Sequence, residues 1–371
     1  MPIGLYLHIP FCVSKCPYCD FYSVTATDPE RDAYTEALLA ALTVWAVKTG
    51  ETADTLYFGG GTPSLLGGKR IARLTETARR LFAIPDDAEI TLEANPGDDA
   101  AEVFSAFAAA GGNRLSLGMQ AVSDRQLRLL GRRHTVAQTE AAICAAQTAG
   151  IANYSLDLIL GTPEQTVEDV AYAAACCTQW GASHVSAYLL KLESGTPFAA
   201  APPPLPDEDT TVALYHAAAE ALEHHGYRQY EISNFARPGL ESRHNTKYWN
   251  LDPYLGIGPS AHSFLHGKRF AYTRSLSDFL DGNPPAAESP VPTAIAEGSA
   301  EEYAMLRLRL SEGLREDRFE ARFGRPIPAT WRAEAAKLPA SLIVADTAGI
   351  RLTRDGFLVS NAILSRLFAP G

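Results

Sequence analysis

The sequence predicts an α/β protein, with a partial (β/α)6 barrel followed by a smaller α+β domain of winged-helix-like type. Six short β-rich segments alternate with helical patterns, at a spacing typical of a parallel sheet. Polar and metal-binding residue types recur where those segments end, which is where barrel proteins place their sites. The chain has 371 residues, enough for one large barrel and a small second domain.

The predicted elements cover most of the first half of the chain. Strands are predicted at residues 5–8, 55–58, 89–94, 114–118, 154–159 and 185–189. Helices are predicted at residues 31–48, 69–82, 100–110, 123–130, 136–149 and 167–180. The pattern leaves an open doubly wound sheet as the alternative. The residues at the strand ends favour the barrel, because six separate elements then converge on one face.

Those strand-end residues have the chemistry of a binding site. In chain order they are three cysteines, the turn Gly59-Gly60-Gly61-Thr62-Pro63, Glu93 with Asn95, Gln120, Asp157, and Lys191 with Glu193. A glycine run lets the backbone approach a ligand closely, although most such runs only turn the chain. The convergence of all six elements predicts a site at this end of the barrel.

The later part of the chain predicts two further regions. We divide the chain into a barrel at 1–200, a connecting segment at 201–282 and a C-terminal domain at 283–371, with Pro-rich stretches at 201–206 and 283–292. Predicted elements are a helix at 207–225, an extended run at 227–233, a helix at 301–312, a hairpin at 342–353 and a helix at 356–368. No basic cluster accompanies the last domain, so it is not expected to read DNA.

Composition and charge narrow the class of protein. With 32 Lys and Arg against 43 Asp and Glu, the formal net charge is −11, whereas broad nucleic-acid binding needs a basic face. The N-terminus lacks the basic stretch and apolar core of a signal peptide. The longest apolar run found, residues 170–177, is far shorter than the ~20 residues of a membrane helix. We expect a cytoplasmic protein with no integral membrane segment and no nucleic-acid partner.

The cysteines indicate a metal site. Cys12, Cys16 and Cys19 have the spacing C-x3-C-x2-C, and the other three cysteines are scattered through helical patterns. Zinc sites usually take four ligands, often from paired C-x2-C units, and no fourth cysteine lies nearby. A [4Fe–4S] cluster normally takes four thiolates, so three would leave one iron open for another ligand. The spacing alone leaves zinc possible, but its position after a first strand favours the cluster.

Asp157 stands out among the other polar residues. It lies within an otherwise apolar strand, where an unpaired carboxylate would be costly. A ribose hydroxyl or a structural cation would compensate it. The alternative is a purely structural carboxylate that caps a helix or forms a salt bridge.

Several motifs together resemble the coproporphyrinogen dehydrogenase-like branch of the radical S-adenosylmethionine (SAM) superfamily. They are Tyr6-Leu-His8-Ile-Pro-Phe-Cys12, Cys16-Pro-Tyr18-Cys19, Phe58-Gly-Gly-Gly-Thr-Pro-Ser64, Glu93-Ala-Asn95-Pro96-Gly97, Gly118-Met-Gln120, Asp157-Leu-Ile-Leu-Gly161-Thr-Pro163 and Gly256-Ile-Gly258-Pro-Ser-Ala261-His262. The resemblance implies a radical SAM barrel with a cluster on Cys12, Cys16 and Cys19. It implies SAM contacts from Tyr6, Gly60, Gly61, Thr62, Glu93, Gln120, Arg132 and Asp157.

The same resemblance implies how those residues share the SAM molecule. The glycine turn would meet the methionine end, and the carboxylates and Gln120 would meet the ribose side. Arg132 would pair with the SAM carboxylate through its planar guanidinium.

Three features make the chain most similar to the haem-chaperone group of that branch. In the dehydrogenase a fourth cysteine lies two residues after the third, where this chain has Phe21. The dehydrogenase also has an extension before its first strand, whereas the first strand predicted here begins at residue 5. His244-Asn245-Thr-Lys-Tyr248-Trp249 then matches the HNxxYW motif of the haem-chaperone group.

By this resemblance the HNxxYW residues would bind haem. His244 would be the axial ligand, since histidine commonly ligates haem iron, and Asn245 is the candidate that orients its ring. Tyr248 and Trp249 would stack on a porphyrin face. His262 is a weaker candidate for a ligand.

The resulting hypothesis is a haem chaperone that binds haem and transfers it to an acceptor haem protein, with a [4Fe–4S] cluster, SAM and haem as cofactors. No catalytic residue is assigned. The first alternative is oxygen-independent coproporphyrinogen III dehydrogenase, against which Phe21 counts. The second is a radical SAM methyltransferase or cyclopropanase of the same branch, in which a haem motif has no evident purpose.

Overall fold

The computed structural model describes residues 1–97, 99–285 and 296–368. Within them, one large sheet and one small sheet organise the chain. The strands are β1 (Ile3–Ile9), β2 (Ala53–Gly60), β3 (Glu89–Ala94), β4 (Arg114–Gln120), β5 (Asn153–Leu160), β6 (His184–Leu189), β7 (Arg228–Gln229), β8 (Asn234–Ala236), β9 (Tyr254–Ile257), β10 (His262–Leu265), β11 (Lys268–Ala271), β12 (Leu314–Arg315), β13 (Ile343–Asp346) and β14 (Gly349–Leu352).

Helices alternate with the first six strands and dominate the C-terminal region. They are α1 (Asp28–Thr49), α2 (Gly68–Leu81), α3 (Ala100–Ala109), α4 (Asp124–Leu129), α5 (Val136–Thr148), α6 (Val167–Gln179), α7 (Pro197–Ala200), α8 (Glu208–His224), α9 (Arg243–Trp249), α10 (Leu276–Leu280), α11 (Ala300–Arg307), α12 (Glu316–Phe323), α13 (Ala329–Ala335), α14 (Arg354–Leu358) and α15 (Ser360–Leu367). A short 3₁₀ helix, Pro63–Leu66, follows β2.

The large sheet is a partial barrel. Its strand order is β11-β10-β9-β1-β2-β3-β4-β5-β6-β8-β7, and β1 to β6 pair in parallel with their neighbours along the chain. The edge strands β11 and β7 do not pair with each other in the described part of the chain, so the barrel stays open. This arrangement confirms the predicted partial barrel over the alternative of a doubly wound sheet.

The barrel helices begin where side chains can replace missing backbone partners. At α5, the backbone N–H of Thr135 donates to Gln138 Oε1 at 2.9 Å, and the N–H of Gln138 donates to Thr135 Oγ1 at 3.3 Å. Thr166 and Asp169 form the same reciprocal pair at α6. These capping boxes satisfy N–H groups that have no partner in the first turn, which fixes where each helix starts.

The predicted strands are confirmed, and each is as long as predicted or up to two residues longer at either end. The helix predicted at 301–312 is too long, because α11 ends at Arg307 and Leu310 instead pairs with Glu231 in an antiparallel bridge. The helix predicted at 356–368 is interrupted at Val359, where φ is −114° and ψ is 21°. Of the predicted extended run at 227–233, only Arg228–Gln229 is a strand. Residues 286–292 of the predicted Pro-rich boundary lie outside the described residues.

Strand register determines which side chains share a level inside the barrel. Tyr6 of β1 pairs with Tyr57 of β2, and Glu93 of β3 pairs with Ser116 of β4. Alternate residues of a strand point to the same face, so Tyr57 and Gly59 share the inner face of β2. The interior therefore carries many polar and aromatic side chains rather than only aliphatic ones.

Two hydrophobic cores hold the described residues together. The larger core lies between the barrel sheet and its helices, and the smaller one lies in the C-terminal region. Leu251, Tyr254 and Phe264 of the connecting segment belong to the smaller core, although β9 and β10 extend the barrel sheet. The connecting segment thus contributes to both. Among the described residues, no helix is both long enough and apolar enough to cross a membrane.

Candidate functional site

The three motif cysteines lie on a loop that leaves the C-terminal end of β1. The base of this loop is closed by two hydrogen bonds, from the N–H of Cys12 to Val24 O at 3.0 Å and from the N–H of Val24 to Pro10 O at 2.7 Å. Cys12, Cys16 and Cys19 are half-buried free thiols. Within residues 1–97, 99–285 and 296–368, no three His, Cys, Asp or Glu side chains are gathered as a metal site. The loop supplies three thiols near one another in sequence without a rigid cage.

Arg132 connects this loop to the strand ends beside it. Its Nη1 donates to Cys16 Sγ at 3.4 Å, and its Nη2 donates to Gly118 O at 2.9 Å and to Asn95 Oδ1. Asn95 Nδ2 in turn donates to Thr62 Oγ1 at 2.8 Å. Arg132 therefore already uses its guanidinium within the protein, and its buried Nε has no hydrogen-bonding partner in the described part of the chain.

The network around Arg132 closes on the first cysteine. Thr62 Oγ1 lies 3.5 Å from Cys12 Sγ, so hydrogen-bonding groups contact the sulfur atoms of two of the three motif cysteines. Hydrogen bonds to sulfur are among the factors that set the reduction potential of an iron–sulfur cluster. Three half-buried thiols, two of them with such partners, are a soft donor set of the kind that fits an iron–sulfur cluster with one iron left open.

The glycine turn packs against the cysteine loop. The N–H of Gly61 donates to Ile9 O at 2.8 Å and that of Thr62 donates to Phe11 O at 2.7 Å. A Cβ atom added at Gly61 would lie 2.7 Å from Phe11 O, closer than real Cβ contacts come. The N–H groups of this turn are therefore used inside the protein, and the turn positions the cysteine loop.

Glu93 lies where the glycine turn meets the barrel interior. Its Oε2 accepts from the N–H of Gly60 at 3.1 Å, and its Oε1 accepts from the hydroxyl of Tyr57 at 2.7 Å. Burial raises the pKa of Glu93 to about 7, although the hydrogen bond from Tyr57 opposes that shift. A carboxylate with this pKa changes charge readily near neutral pH.

Asp157 is compensated by serine hydroxyls. Ser116 Oγ donates to both of its carboxylate oxygens, at 3.0 and 3.1 Å, and Ser155 Oγ donates to Oδ1 at 3.0 Å. Ser155 is also 2.8 Å from His184 Nδ1. These partners of Asp157 are serine hydroxyls, whereas the structural alternative expected a helix cap or a salt bridge. Burial raises the pKa of Asp157 and the serine hydrogen bonds oppose that rise.

Gln120 and Tyr6 complete the set of predicted SAM residues. Gln120 has φ of +67°, a conformation that non-glycine residues seldom adopt, and it follows an irregularity in the pairing of β4 with β5. Tyr6 is deeper in the barrel, with its hydroxyl 3.1 Å from His8 Nδ1. The eight residues lie at or just beyond adjacent strand ends and in the interior below them, and their contact with SAM stays a prediction.

The predicted haem motif lies on α9, deeper in the same barrel. Glu89, at the start of β3, accepts from the N–H groups of Arg243 and His244, both at 2.9 Å, and so caps the helix. This interaction holds the first turn of α9 against the sheet. His244 is fully buried as a result.

Both ring nitrogens of His244 have hydrogen-bonding partners. Nδ1 lies 2.8 Å from Thr55 Oγ1, and Nε2 lies 2.7 Å from the hydroxyl of Tyr248. The ring stacks on Tyr57 with centroids 5.1 Å apart. Burial lowers the pKa of His244 to about 3, so the imidazole is neutral at neutral pH. Thr55 and Tyr248 set the orientation of the His244 ring. The side chain of Asn245, which is predicted to orient this ring, forms no hydrogen bond with it.

The other motif residues line a cavity beside α9. It measures about 330 Å³ and is lined by Tyr188, Glu231, Ile232, Ser233, Asn234, Asn245, Tyr248 and Trp249. Tyr248 therefore lies between this cavity and the buried ring of His244. The weaker candidate His262 is exposed at the start of β10.

Comparisons with known proteins agree with this architecture. The model of the radical SAM superfamily matches residues 6–176, and that of the HemN C-terminal domain matches residues 297–359. The heme chaperone HemW of Haemophilus influenzae is 35% identical, covering 98% of this chain and 97% of that protein. HemW of Escherichia coli K12 is 37% identical, covering 84% of this chain and 83% of that protein.

This chain belongs to the HemW family of radical SAM proteins. Among solved structures, coproporphyrinogen III oxidase (HemN) of Escherichia coli is similar over 99% of this chain and 90% of its own, with a TM-score of 0.83 and 25% identity. The structural likeness to HemN covers both the barrel and the C-terminal domain.

Residues that the sequence did not single out connect the HemW-type motifs. Tyr57 contacts both Glu93 and His244, and Thr55 holds His244 from the same strand. The signal that could have found them is strand alternation, because positions 55, 57 and 59 share one face of β2 and Gly59 begins the glycine turn. Their partner on α9 is almost 190 positions away, so spacing alone could not reveal the contact.

Proposed function

We propose that this chain is a haem chaperone that binds haem and transfers it to an acceptor haem protein. It would carry a [4Fe–4S] cluster on Cys12, Cys16 and Cys19, with SAM at the open iron. HemW relatives carry the name heme chaperone, which supports the proposal. Haem as ligand, the acceptor protein and a cytoplasmic location are parts of this proposal.

The observation that carries the proposal is the cavity beside α9. Tyr188, Tyr248 and Trp249 give it aromatic walls, which suit a flat porphyrin. Glu231 and Asn234 add polar groups at the same cavity, and Asn234 Oδ1 is buried without a hydrogen-bonding partner among the described residues. Aromatic surface with a few polar groups is typical of a cofactor pocket.

His244 is the proposed axial ligand, and its protonation state suits the role. Iron binds the neutral imidazole, which is the form that burial favours here. Nε2 is covered by the hydroxyl of Tyr248, so ligation requires that hydrogen bond to break. Haem binding would therefore move Tyr248, and with it the wall of the cavity.

At the other site, the chain's own residues hold and shield the cofactors. A cluster with an open iron, when bound, supplies a single electron and a point of attachment for SAM. Arg132 and Thr62 would hold two of the cysteine sulfurs, and Glu93, Gln120 and Asp157 would contact the SAM molecule. Because Arg132 is already engaged with Asn95 and Gly118, its pairing with the SAM carboxylate requires it to exchange one of these partners.

A second candidate function is the oxidation of coproporphyrinogen, favoured by the TM-score of 0.83 to HemN. Phe21 counts against it, since this residue stands in place of the fourth cysteine of the dehydrogenase motif. It is 68% exposed on the cysteine loop and offers no ligand. We therefore rank haem transfer first.

The test is a haem titration followed by the Soret band, together with a turnover assay on coproporphyrinogen. The wild type should bind haem at one site, and His244→Ala should weaken binding at least about tenfold, because the axial bond is lost. His134→Ala is the matched control, since His134 is also buried but its Nε2 bonds Met119 O, away from the haem motif. Anaerobic reconstitution should give about four irons per chain.

Three results would contradict the proposal. Equal haem affinity in the wild type and His244→Ala would show that His244 is not the axial ligand. Absence of any Soret shift in the wild type would show that the protein does not bind haem. Conversion of coproporphyrinogen to protoporphyrinogen would favour the dehydrogenase.

A further inference from the structure

The two predicted sites are joined by one side chain in the barrel interior. Tyr57 donates its hydroxyl to Glu93 Oε1 at 2.7 Å on the SAM side. Its ring lies against His244 of the haem motif, with centroids 5.1 Å apart and planes 26° apart. Tyr57 is itself buried. Tyr57 therefore contacts one residue of each predicted site directly.

Glu93 forms the SAM end of this connection. Its Oε1 accepts from the hydroxyl of Tyr57 and its Oε2 accepts from the N–H of Gly60. Each carboxylate oxygen can accept a second donor, but an oxygen shared by two donors holds each of them more weakly. A ligand hydroxyl that donates to Oε1 therefore weakens the hydrogen bond that fixes the Tyr57 ring in place.

The His244 end is tightly enclosed. Tyr6 stacks on Tyr57 with centroids 6.0 Å apart and on His244 with centroids 6.5 Å apart, and Tyr248 meets His244 edge-on at 5.1 Å. For Nε2 to reach a metal, the His244 ring has to shift relative to these neighbours. A Tyr57 ring held by its hydrogen bond to Glu93 resists that shift, whereas a Tyr57 ring without this hydrogen bond permits it.

We propose that Tyr57 couples the two sites as a positioning residue, so that SAM bound at the Glu93 end tightens haem binding at His244. This inference rests on the proposed function and specifies its regulation. Coupling between two binding equilibria is reciprocal, so haem must tighten SAM binding by the same factor. The coupling factor should be about fivefold, near the lower end of the usual range.

The experiment measures haem affinity with and without SAM, in cluster-reconstituted full-length protein kept anaerobic and free of reductant so that SAM stays intact. In the wild type, saturating SAM should lower the haem Kd about fivefold. Tyr57→Phe keeps the stacked ring but lacks the hydroxyl. It should bind haem without SAM about as tightly as the wild type does with SAM, and SAM should change its haem Kd by less than about twofold.

The matched control is Tyr154→Phe. It also removes the hydroxyl of a buried tyrosine, but this hydroxyl bonds Trp180 O and Gln147 rather than a site residue. Tyr154→Phe should keep the wild-type coupling. A merely structural role of Tyr57 would change both affinities without changing their ratio, so the ratio is the diagnostic quantity.

The failures of the two proposals are distinguishable. If the wild type binds no haem even without SAM, the proposed function fails and the coupling fails with it. If it binds haem with the same Kd in the presence and absence of SAM, or if Tyr57→Phe retains the wild-type ratio, only the coupling is overturned. Equilibrium dialysis of labelled SAM with and without haem provides the reciprocal measurement on the wild type, which needs no variant.

Discussion

The cysteine loop and the haem motif differ in how accessible their key side chains are. Cys12, Cys16 and Cys19 are half-buried on a loop at the end of the barrel. His244 is fully buried, and both of its ring nitrogens have hydrogen-bonding partners. The first region presents its donor atoms to a ligand, whereas the second encloses its donor atom.

This difference shows that one chain can contain a site whose donor atoms are accessible and a site that must open. The motif cysteines can bind a metal cluster while every hydrogen bond of α9 stays intact. Ligation by His244 requires loss of its bond to Tyr248, at a net cost of about 1 kcal/mol, together with movement of the ring. A buried donor of this kind responds to neighbouring residues, which makes regulation of haem binding possible.

The largest expected effect is at the cysteine loop, from Gly61→Ala. The added Cβ would meet Phe11 O at 2.7 Å and the Phe11 N and C atoms at 3.0 Å, so the loop must move. We expect a loss of about 3 kcal/mol in the free energy of unfolding, measured by urea denaturation, and fewer than about four irons per chain after reconstitution. Haem affinity measured without SAM should stay at the wild-type value.

The control for this change is Gly97→Ala, whose added Cβ has its nearest neighbour 3.9 Å away. It should leave stability and iron content unchanged. If Gly61→Ala also leaves both unchanged, the glycine turn does not position the cysteine loop.

The next effect is a pH dependence that belongs to Glu93. The folded protein favours the neutral form, because the pKa is about 7 there and about 4.5 in the unfolded chain. Wild-type stability from this group is therefore present below pH 4.5 and lost as the pH rises through 7. Glu93→Gln removes the loss, so the variant should gain about 2 kcal/mol relative to the wild type between pH 5 and pH 8 in urea denaturation.

Exposed Glu76→Gln on α2 serves as the control and should show no such trend. A flat difference between Glu93→Gln and the wild type across this pH range would mean that the Glu93 carboxylate is better solvated than its contacts indicate.

The smallest effect concerns the bond that covers His244. Tyr248→Phe removes the hydroxyl on Nε2 while keeping the aromatic wall of the cavity. Haem affinity in the Soret titration should rise about fivefold, which corresponds to the net loss of one hydrogen bond. Tyr254→Phe is the control, because its hydroxyl bonds Arg269 rather than the histidine. A fall in affinity for Tyr248→Phe would instead assign the contact with haem to the tyrosine oxygen.

The sequence was sufficient to predict the strands and helices of the barrel and to predict that the polar residues gather where its strands end. Alternation of strand and helix patterns predicted all six parallel strands, and the position of the first strand placed the cysteines on the loop after β1. These features are local, because each depends on residues within about one turn or one strand of each other. Lengths were less well predicted where a tertiary contact decides them, as at Leu310, which pairs with Glu231 instead of continuing α11.

What the sequence could not reveal were the partners of the buried groups. Asp157 accepts hydrogen bonds from Ser155 on its own strand and from Ser116 on the neighbouring strand. The ring of His244 bonds Thr55, and its backbone N–H donates to Glu89, which caps α9. These contacts depend on strand register and on where α9 docks, and no local pattern encodes either. The HNxxYW motif predicted a haem ligand, but its burial follows only from the packing of α9.

Hydrogen–deuterium exchange of the wild type with and without haem tests most directly how His244 becomes accessible to haem. We expect haem binding to open the region around His244 and to leave the cysteine loop as it is. Backbone amides of α9 (Arg243–Trp249) should exchange faster when haem is bound, because His244 and Tyr248 both have to leave their packed positions and this movement loosens the helix that carries them, while residues 11–24 keep their exchange rates. Bound haem with unchanged exchange throughout α9 would contradict this expectation, since His244 would then have reached the iron without any opening, or not at all.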